Sequence, residues 1–225
     1  MVKRITSGIK GLDELIEGGL IENSVTLVTG ETGTGKTLLC AQYIYEGAVK
    51  GEPGVFITLE ETPEDIRNDA LQFGWDFEKY EKKKLIRLIY HDPVQVNNLD
   101  SVIMGEINSI KAKRLVIDST SLIALNMDNA AQIRRKVFSI INTIKRNNLT
   151  AIITSEIPEG SKALSRFGVE EFVVDGVIVL HYLGIGEVSA RSLTIRKMRR
   201  TTHGNDVYPL EITMKKGLMV KKPEV

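Results

Sequence analysis

Gly30-Glu31-Thr32-Gly33-Thr34-Gly35-Lys36-Thr37 matches G-x-x-x-x-G-K-[ST], the pattern of a phosphate-binding loop. Its flanks decide whether the match has meaning. Residues 24–29 read Ser-Val-Thr-Leu-Val-Thr, a short β-branched run closed by Gly30, which predicts a buried strand. Residues 37–49 place apolar side chains at helical spacing, which predicts a helix opening directly from the loop. In that setting the glycines let backbone N–H groups turn inward around phosphate oxygens, and the positive end of the helix dipole points to the same place. Gly30, Glu31, Thr32, Gly33, Thr34, Gly35, Lys36, Thr37 and Leu38 are therefore the candidate phosphate cradle. Lys36 would reach the β- and γ-phosphates, and the Thr37 hydroxyl would ligate Mg²⁺.

Working outward, Arg114-Leu115-Val116-Ile117-Asp118 is a charged residue, three apolar residues and a terminal carboxylate. This is the pattern of a strand beside the phosphate-loop strand, with Asp118 near the Mg²⁺. Glu60-Glu61 closes another predicted strand, 54–59. Carboxylates at that end of a strand lie on the ligand side of an open α/β sheet. Either could act as general base toward the water that attacks a γ-phosphate, its pKa raised by its like-charged neighbour. Thr62-Pro63-Glu64-Asp65 is a helix start. A weaker strand at 85–90, helices at 99–110 and 129–146, and a strand at 150–154 complete an alternation. It predicts an α/β fold: a mostly parallel sheet flanked by helices. The last third predicts successive antiparallel strands at 172–182, 188–198, 207–213 and 218–221, with turns at Gly184, Gly186, Gly204-Asn205-Asp206 and Gly217. Residues 156–168 form the one long loop, and loops of that length are often functional.

The chain has 225 residues, enough for one domain spanning 1–225, and 30 Lys+Arg against 29 Asp+Glu. That balance excludes a polybasic nucleic-acid coat. Cys40 is the single cysteine, which excludes a disulfide framework and fits a reducing, cytoplasmic setting. No apolar run reaches the ~18 residues of a membrane span, and the first residues carry no secretory h-region. The near-zero charge hides an asymmetry. From residue 191 onward there are nine basic and three acidic residues, whereas the preceding part carries 21 basic and 26 acidic.

These residues carry a resemblance to the RecA-type ATPases, and within them to the KaiC-like branch. Ile5-Thr6-Ser7-Gly8-Ile9-Lys10-Gly11-Leu12-Asp13-Glu14-Leu15 with Gly18-Gly19-Leu20 resembles the opening that such proteins place before the phosphate loop. Glu52-Pro53-Gly54-Val55-Phe56-Ile57-Thr58-Leu59-Glu60-Glu61-Thr62-Pro63 is similar to the strand bearing the family's paired catalytic glutamates. Gly168-Val169-Glu170-Glu171-Phe172-Val173 and Lys197-Met198-Arg199 followed by Thr201-Thr202-His203 resemble the N-terminal ATPase half of KaiC. The resemblance implies a RecA-like core, ATP or ADP with Mg²⁺ as ligands, and a homo-oligomeric ring, a hexamer, with nucleotide between subunits. It also implies that Lys197 and Arg199 act on a neighbour's γ-phosphate, and that His203 lies near the nucleotide at that interface. A cation supplied from outside the cradle would stabilise the charge spread over the transferring phosphoryl group.

The chain departs from KaiC in carrying one ATPase half, and its comparable loop has only the separated Ser161 and Ser165, which read as loop residues. Autokinase activity is therefore not expected. Slow ATP hydrolysis in a ring leads. A DNA-binding recombinase or helicase relative follows, through loops near 122–128 and 156–168; the second carries Lys162, Arg166 and Phe167, a thin version of a basic, ring-lined groove. A nucleotide-gated scaffold with little turnover is a third reading. His91 and His181 read as structural, Cys40 as a buried small residue and Trp75 as packing.

Overall fold

In the computed structural model, residues 2–127, 129–182 and 191–221 are described. The chain opens with β1 (Arg4–Ile5), α1 (Leu12–Leu15) and β2 (Leu20–Ile21), then β3 (Val25–Gly30), α2 (Lys36–Val49) and β4 (Gly54–Thr58). Next come α3 (Pro63–Gln72), α4 (Phe77–Lys82), β5 (Ile86–Tyr90), α5 (Leu99–Ile110) and β6 (Arg114–Asp118). After a 3₁₀ segment at Thr120–Asn126 follow α6 (Ala130–Arg146), β7 (Thr150–Glu156), α7 (Glu170–Val173) and β8 (Gly176–Tyr182). β9 (Arg191–Met198), β10 (Tyr208–Thr213) and β11 (Gly217–Val220) end the described chain.

Nine strands form one sheet in the order β11-β10-β9-β8-β3-β7-β6-β4-β5. Strands β5, β4, β6, β7, β3 and β8 are mutually parallel, and β9, β10 and β11 add antiparallel to the β8 side. The expected parallel core with a C-terminal antiparallel extension is the observed architecture. Both faces of the parallel part are covered, so β3, β4 and β6 are buried at every position rather than alternating. Val28, Phe56, Val116 and Ile152 face a core built with Leu39, Tyr43 and Ile44 of α2 and Ile66 of α3. Leu27, Ile57, Ile117 and Ile153 face a second core built with Ile103 and Ile107 of α5 and Ile133, Val137, Ile140, Ile141 and Ile144 of α6. That α6 spacing is one apolar stripe, and each such side chain contributes about 1.5–3 kcal/mol on burial. No helix among the described residues is long and apolar enough to cross a membrane.

Two expectations need correction. The Arg114–Asp118 strand does not lie beside the phosphate-loop strand, because β7 stands between β3 and β6 and pairs with both. Residues 172 and 173 belong to α7 rather than to a strand, because the buried Glu170 carboxylate holds the chain in a turn there; β8 begins only at Gly176. The described part of the next strand starts at Arg191, and the expected turns at Gly184 and Gly186 lie outside the described residues. Arg114 heads β6 and its charge lies inside the fold. It is fully buried, donates to Glu52 Oε2 from Nε at 2.9 Å and Nη2 at 2.6 Å, and stacks over the Tyr43 ring at 4.7 Å. Its Nη1 donates to the carbonyls of Thr6 at 3.0 Å and Tyr43 at 2.9 Å. Arg114 therefore ties the N-terminal segment, α2 and β6 together below the cleft.

Candidate nucleotide site

Strand register assembles the site. Gly30 pairs with Glu156 across β3–β7, and Thr58 pairs with Asp118 across β4–β6. The phosphate loop, Asp118, Glu156 and the Glu60-Glu61 pair thus emerge together at the carboxyl ends of adjacent parallel strands, the position open α/β sheets use for ligands. They line a cleft of about 530 Å³. Its other end, between α2 and α3, is lined by Leu38, Ala41, Ile66, Ala70, Phe73 and Met214. One end is polar and the other apolar, the shape that a phosphate tail and a flat base require.

The cradle geometry follows from its glycines. A Cβ on Gly30 would lie 2.4 Å from the Leu180 carbonyl oxygen, so only glycine fits between β3 and β8. Gly35 has φ +101°, a left-handed conformation that lets the chain turn into α2. No side chain caps α2, so its first N–H groups, those of Lys36, Thr37 and Leu38 among them, remain available to an anion. Lys36 folds back onto the loop and donates to the carbonyls of Gly30 and Glu31, each at 3.0 Å.

The Thr37 hydroxyl donates to Asp118 Oδ2 at 2.7 Å, and Thr154 donates to Asp118 Oδ1. Thr37 and Asp118 thereby offer hard oxygen donors of the kind that suits Mg²⁺. Burial pushes the Asp118 carboxyl above its ordinary value, against the opposing pull of the Thr154 and Thr37 hydroxyls and Lys36. Glu60 accepts a hydrogen bond from the Ser119 hydroxyl, and the backbone N–H groups of Glu60 and Glu61 donate to Thr58 Oγ1 at 3.2 and 3.0 Å. Both glutamates titrate above the ordinary range. Burial is the main cause in each; Asp118 adds to it, whereas the Ser119 bond opposes it for Glu60.

The other expected site residues lie elsewhere. Lys197 pairs with Val177, which is level with Leu27 on β3. That is three residues short of Gly30 and two strands away, about 10 Å along the sheet and about 10 Å across it. The Lys197 ammonium donates to the carbonyls of Glu171 at 3.0 Å and Val174 at 2.7 Å, and burial with the nearby Arg199 charge lowers its pKa. Arg199 is exposed, its backbone N–H bonded to the Asp175 carbonyl at 2.9 Å and its guanidinium 3.8 Å from the Asp175 carboxylate. His203 Nδ1 lies 2.9 Å from the Gly204 carbonyl, and Gly204 N–H donates to Leu15 O at 3.1 Å. Lys197 and Arg199 gather at the amino end of the sheet, with His203 four residues further along the same segment. They do not face the cleft of their own chain.

Sequence reasoning passed over Glu156, the apolar wall from α3 with Met214, and Arg191. Arg191 stacks on the Tyr182 ring at 4.3 Å and donates to the Gly33 carbonyl from Nη2 at 3.3 Å. Register supplies Glu156 and sheet closure supplies Arg191, and neither has a local motif. Ser165 is more than a loop residue: it is fully buried and donates to Glu170 Oε2 at 2.8 Å. His91 Nε2 lies 3.1 Å from Gln95 O, and His181 Nε2 lies 3.0 Å from Thr194 Oγ1. Cys40 is buried, and Trp75 packs on Phe73 and Tyr45 at centroid distances of 5.0 and 6.0 Å.

A parallel sheet carrying this loop at its switch from β3 to α2, with an antiparallel extension beyond β8, defines a P-loop NTPase domain of the RecA-like kind. The particular family follows from comparison with known proteins. The family described as "ATPase: KaiC" matches residues 5–225, and this chain belongs to it. It is 38% identical over 218 residues to "Circadian clock oscillator protein KaiC" of Parathermosynechococcus lividus, covering 92% of this chain and 40% of that protein. It is 34% identical to "UPF0273 protein PF1931" of Pyrococcus furiosus, covering 100% of this chain and 96% of that one. The solved KaiC-like protein PH0186 from Pyrococcus horikoshii OT3 superposes with a TM-score of 0.89 at 45% identity, covering 99% and 100% of the two chains. The chain spans about two fifths of the clock proteins' length.

Proposed function

We propose that this protein binds Mg·ATP in the β3–α2 cleft and hydrolyses it slowly within a homohexameric ring, each cleft being completed by Lys197 and Arg199 of the next subunit. The observation that carries this reading is the charge of the cleft. Among its described lining residues Lys36 is the one cation, beside the five carboxylates of Glu60, Glu61, Asp69, Asp118 and Glu156. A triphosphate whose charge grows at the equatorial oxygens needs more positive charge than one lysine. Arg191 touches only the outer side of the loop, and Lys197 and Arg199 are held at the far end of their own sheet. A neighbour's amino end brought against the cleft supplies what it lacks.

In this scheme the backbone N–H groups of 33–38 and Lys36 hold the β- and γ-phosphates. Thr37 and Asp118 would hold Mg²⁺, which would supply neutralisation of the phosphate charge. Glu61 takes the proton of the attacking water: its carboxylate accepts no hydrogen bond from any described residue, whereas that of Glu60 is engaged by Ser119. Arg199 and Lys197 of the neighbour stabilise the charge on the transferring phosphoryl group, Arg199 through a planar fork and Lys197 as a point charge. Hydrolysis is favoured over autophosphorylation at Ser165, because that hydroxyl is buried against Glu170 and Glu171. It is favoured over strand binding because Phe167 packs on the second core instead of offering a free ring. The test combines light-scattering mass with and without Mg·ATP, steady-state turnover, and turnover with single-stranded DNA. The expected result is a six-subunit mass in Mg·ATP and slow turnover indifferent to DNA. A monomer in saturating Mg·ATP overturns it.

A further inference from the structure

We propose that Glu170 is a positioning residue that links a subunit's own nucleotide cleft to the cation it presents to its neighbour; this rests on the shared-site reading above. Glu170 is fully buried although it carries a carboxylate. Ser155 Oγ donates to its Oε1 at 3.0 Å, the Val169 N–H donates to its Oε2 at 3.2 Å, and the single Ser165 hydroxyl proton is shared between that Oε2, 2.8 Å away, and Glu171 Oε2. A buried carboxylate without such donors is strongly disfavoured, so the three donors and Glu170 keep their arrangement when any of them shifts.

Each side of this cluster leads to a different site. Ser155 pairs with Thr29 at the end of β3, and the next residue, Glu156, pairs with Gly30 of the phosphate loop and lines the cleft. On the other side Glu170 is the first residue of α7, and α7 ends at the carbonyls that hold Lys197. Glu171 O and Val174 O take two of the three ammonium protons, which leaves the third to point outward at an anion. A displacement of the β7 end on nucleotide binding therefore reaches α7 through the Ser155–Glu170 bond, and the carbonyls of α7 set where the ammonium stands. The span from cleft to cation is a continuous run of bonds through one side chain. Coupling through such packed networks is commonly worth about three- to tenfold in a rate or affinity.

The experiment places the defect in one subunit and reads it in another. A dopant chain is silenced at its own cleft by Glu60→Gln and Glu61→Gln, and mixed in about ninefold excess with wild-type chain, so that nearly every wild-type cleft faces a dopant neighbour. Turnover per wild-type chain is then compared with dopants that also carry Glu170→Gln or Arg199→Ala. A drop of threefold or more with Glu170→Gln, in kcat and with KM for ATP unchanged, is the expected result. A drop smaller than threefold overturns the proposal. A purely structural role would affect the dopant's own fold and not a wild-type cleft, so light-scattering mass of the mixed rings accompanies each measurement. If Glu170→Gln chains stay out of the rings, Ser165→Ala replaces them under the same threshold. The Arg199→Ala dopant separates the two readings. If it too leaves turnover unchanged, the shared site fails; if it lowers turnover while Glu170→Gln and Ser165→Ala do not, only the link through Glu170 fails.

Discussion

Mixing two dead variants gives the sharpest test of a cleft shared between subunits. Lys36→Ala removes the ammonium that sits 3.0 Å from the loop carbonyls and disables the cleft of its own chain. Arg199→Ala leaves that cleft intact and removes the guanidinium held beside Asp175 at the opposite end of the sheet. Each alone should lower turnover steeply, by about 10³-fold or more for a charge supplied from a neighbour. In a mixed ring, however, a cleft is sound when an Arg199→Ala chain provides the phosphate loop and a Lys36→Ala chain provides the cations. In an equal mixture each condition is met half the time, so about one quarter of the clefts are whole. Turnover should rise from near zero to about 25% of wild type, with its maximum at equal proportions and a symmetric fall on either side. The assay is steady-state phosphate release across a series of ratios, with co-purification of differently tagged chains to show that the rings are mixed. Activity that never exceeds the weighted mean of the two parents, in rings shown to be mixed, refutes the trans assignment of Arg199. If Lys36→Ala chains do not enter rings for want of nucleotide, the Glu60→Gln, Glu61→Gln chain takes their place with the same expected quarter.

Glu52→Ala leaves the fully buried Arg114 guanidinium without its carboxylate; because Glu52 is itself 27% exposed, water replaces part of the loss, and the cost is about 3 kcal/mol, a fall in Tm of about 6–12 °C by calorimetry. A Tm unchanged within 1–2 °C (about 0.5 kcal/mol) would show that the pair does not hold the N-terminal segment. Thr154→Val keeps the side-chain shape but removes one of the two hydroxyls that donate to Asp118, which should cost about 1–3 kcal/mol in urea unfolding and weaken the Mg²⁺ dependence of turnover. An unaltered midpoint on both counts removes Thr154 from the site. Burial, and then the Arg199 charge, lower the Lys197 pKa from 10.5, so its positive charge is lost as pH rises through a value below 10.5. The basic limb of kcat should fall there in the wild type and be absent in Lys197→Arg, whose guanidinium keeps its proton. A limb that stays in place in Lys197→Arg belongs to another group.

How much of this was readable in the sequence depends on whether the signal is local. The phosphate loop is local: eight consecutive residues carry it, and strand and helix follow from their own patterns. Asp118 and the Glu60-Glu61 pair each close a run of apolar residues, so they too could be placed at strand ends. The α7 turn was misread because the apolar residues 172–174 lead straight toward the apolar run 177–180, and only the carboxylate of Glu170, buried against Ser155 and Ser165, shows why the chain turns before β8. Glu156 was invisible for a different reason. It enters the cleft through the parallel register of β3 and β7, a pairing between residues more than a hundred positions apart. Arg114 was legible as a member of a pattern and misleading as to its role, since a charge at the head of a strand gives no sign that Glu52 and Tyr43 close over it.

The basic residues from 191 onward show where pattern and physics part. Taken together they were a surplus of charge that called for an anion. In the fold they separate into distinct duties. Lys221 pairs with Glu211 at 2.5 Å, and Arg191 is spent on Tyr182 and the outer side of the phosphate loop. Lys197 and Arg199 are steered to one place, by the carbonyls of Glu171 and Val174 and by Asp175. The cleft, meanwhile, concentrates carboxylates at the other end of the same sheet. A chain built this way has its anion-binding loop and its spare cations separated by the strands themselves. No rotation of side chains can bring them together within one subunit. Head-to-tail contact between subunits can, and repeated with a closing rotation it generates a ring. The near-neutral total is thus the sum of two unlike ends, and their separation, more than any single motif, is what argues for a site made by two chains.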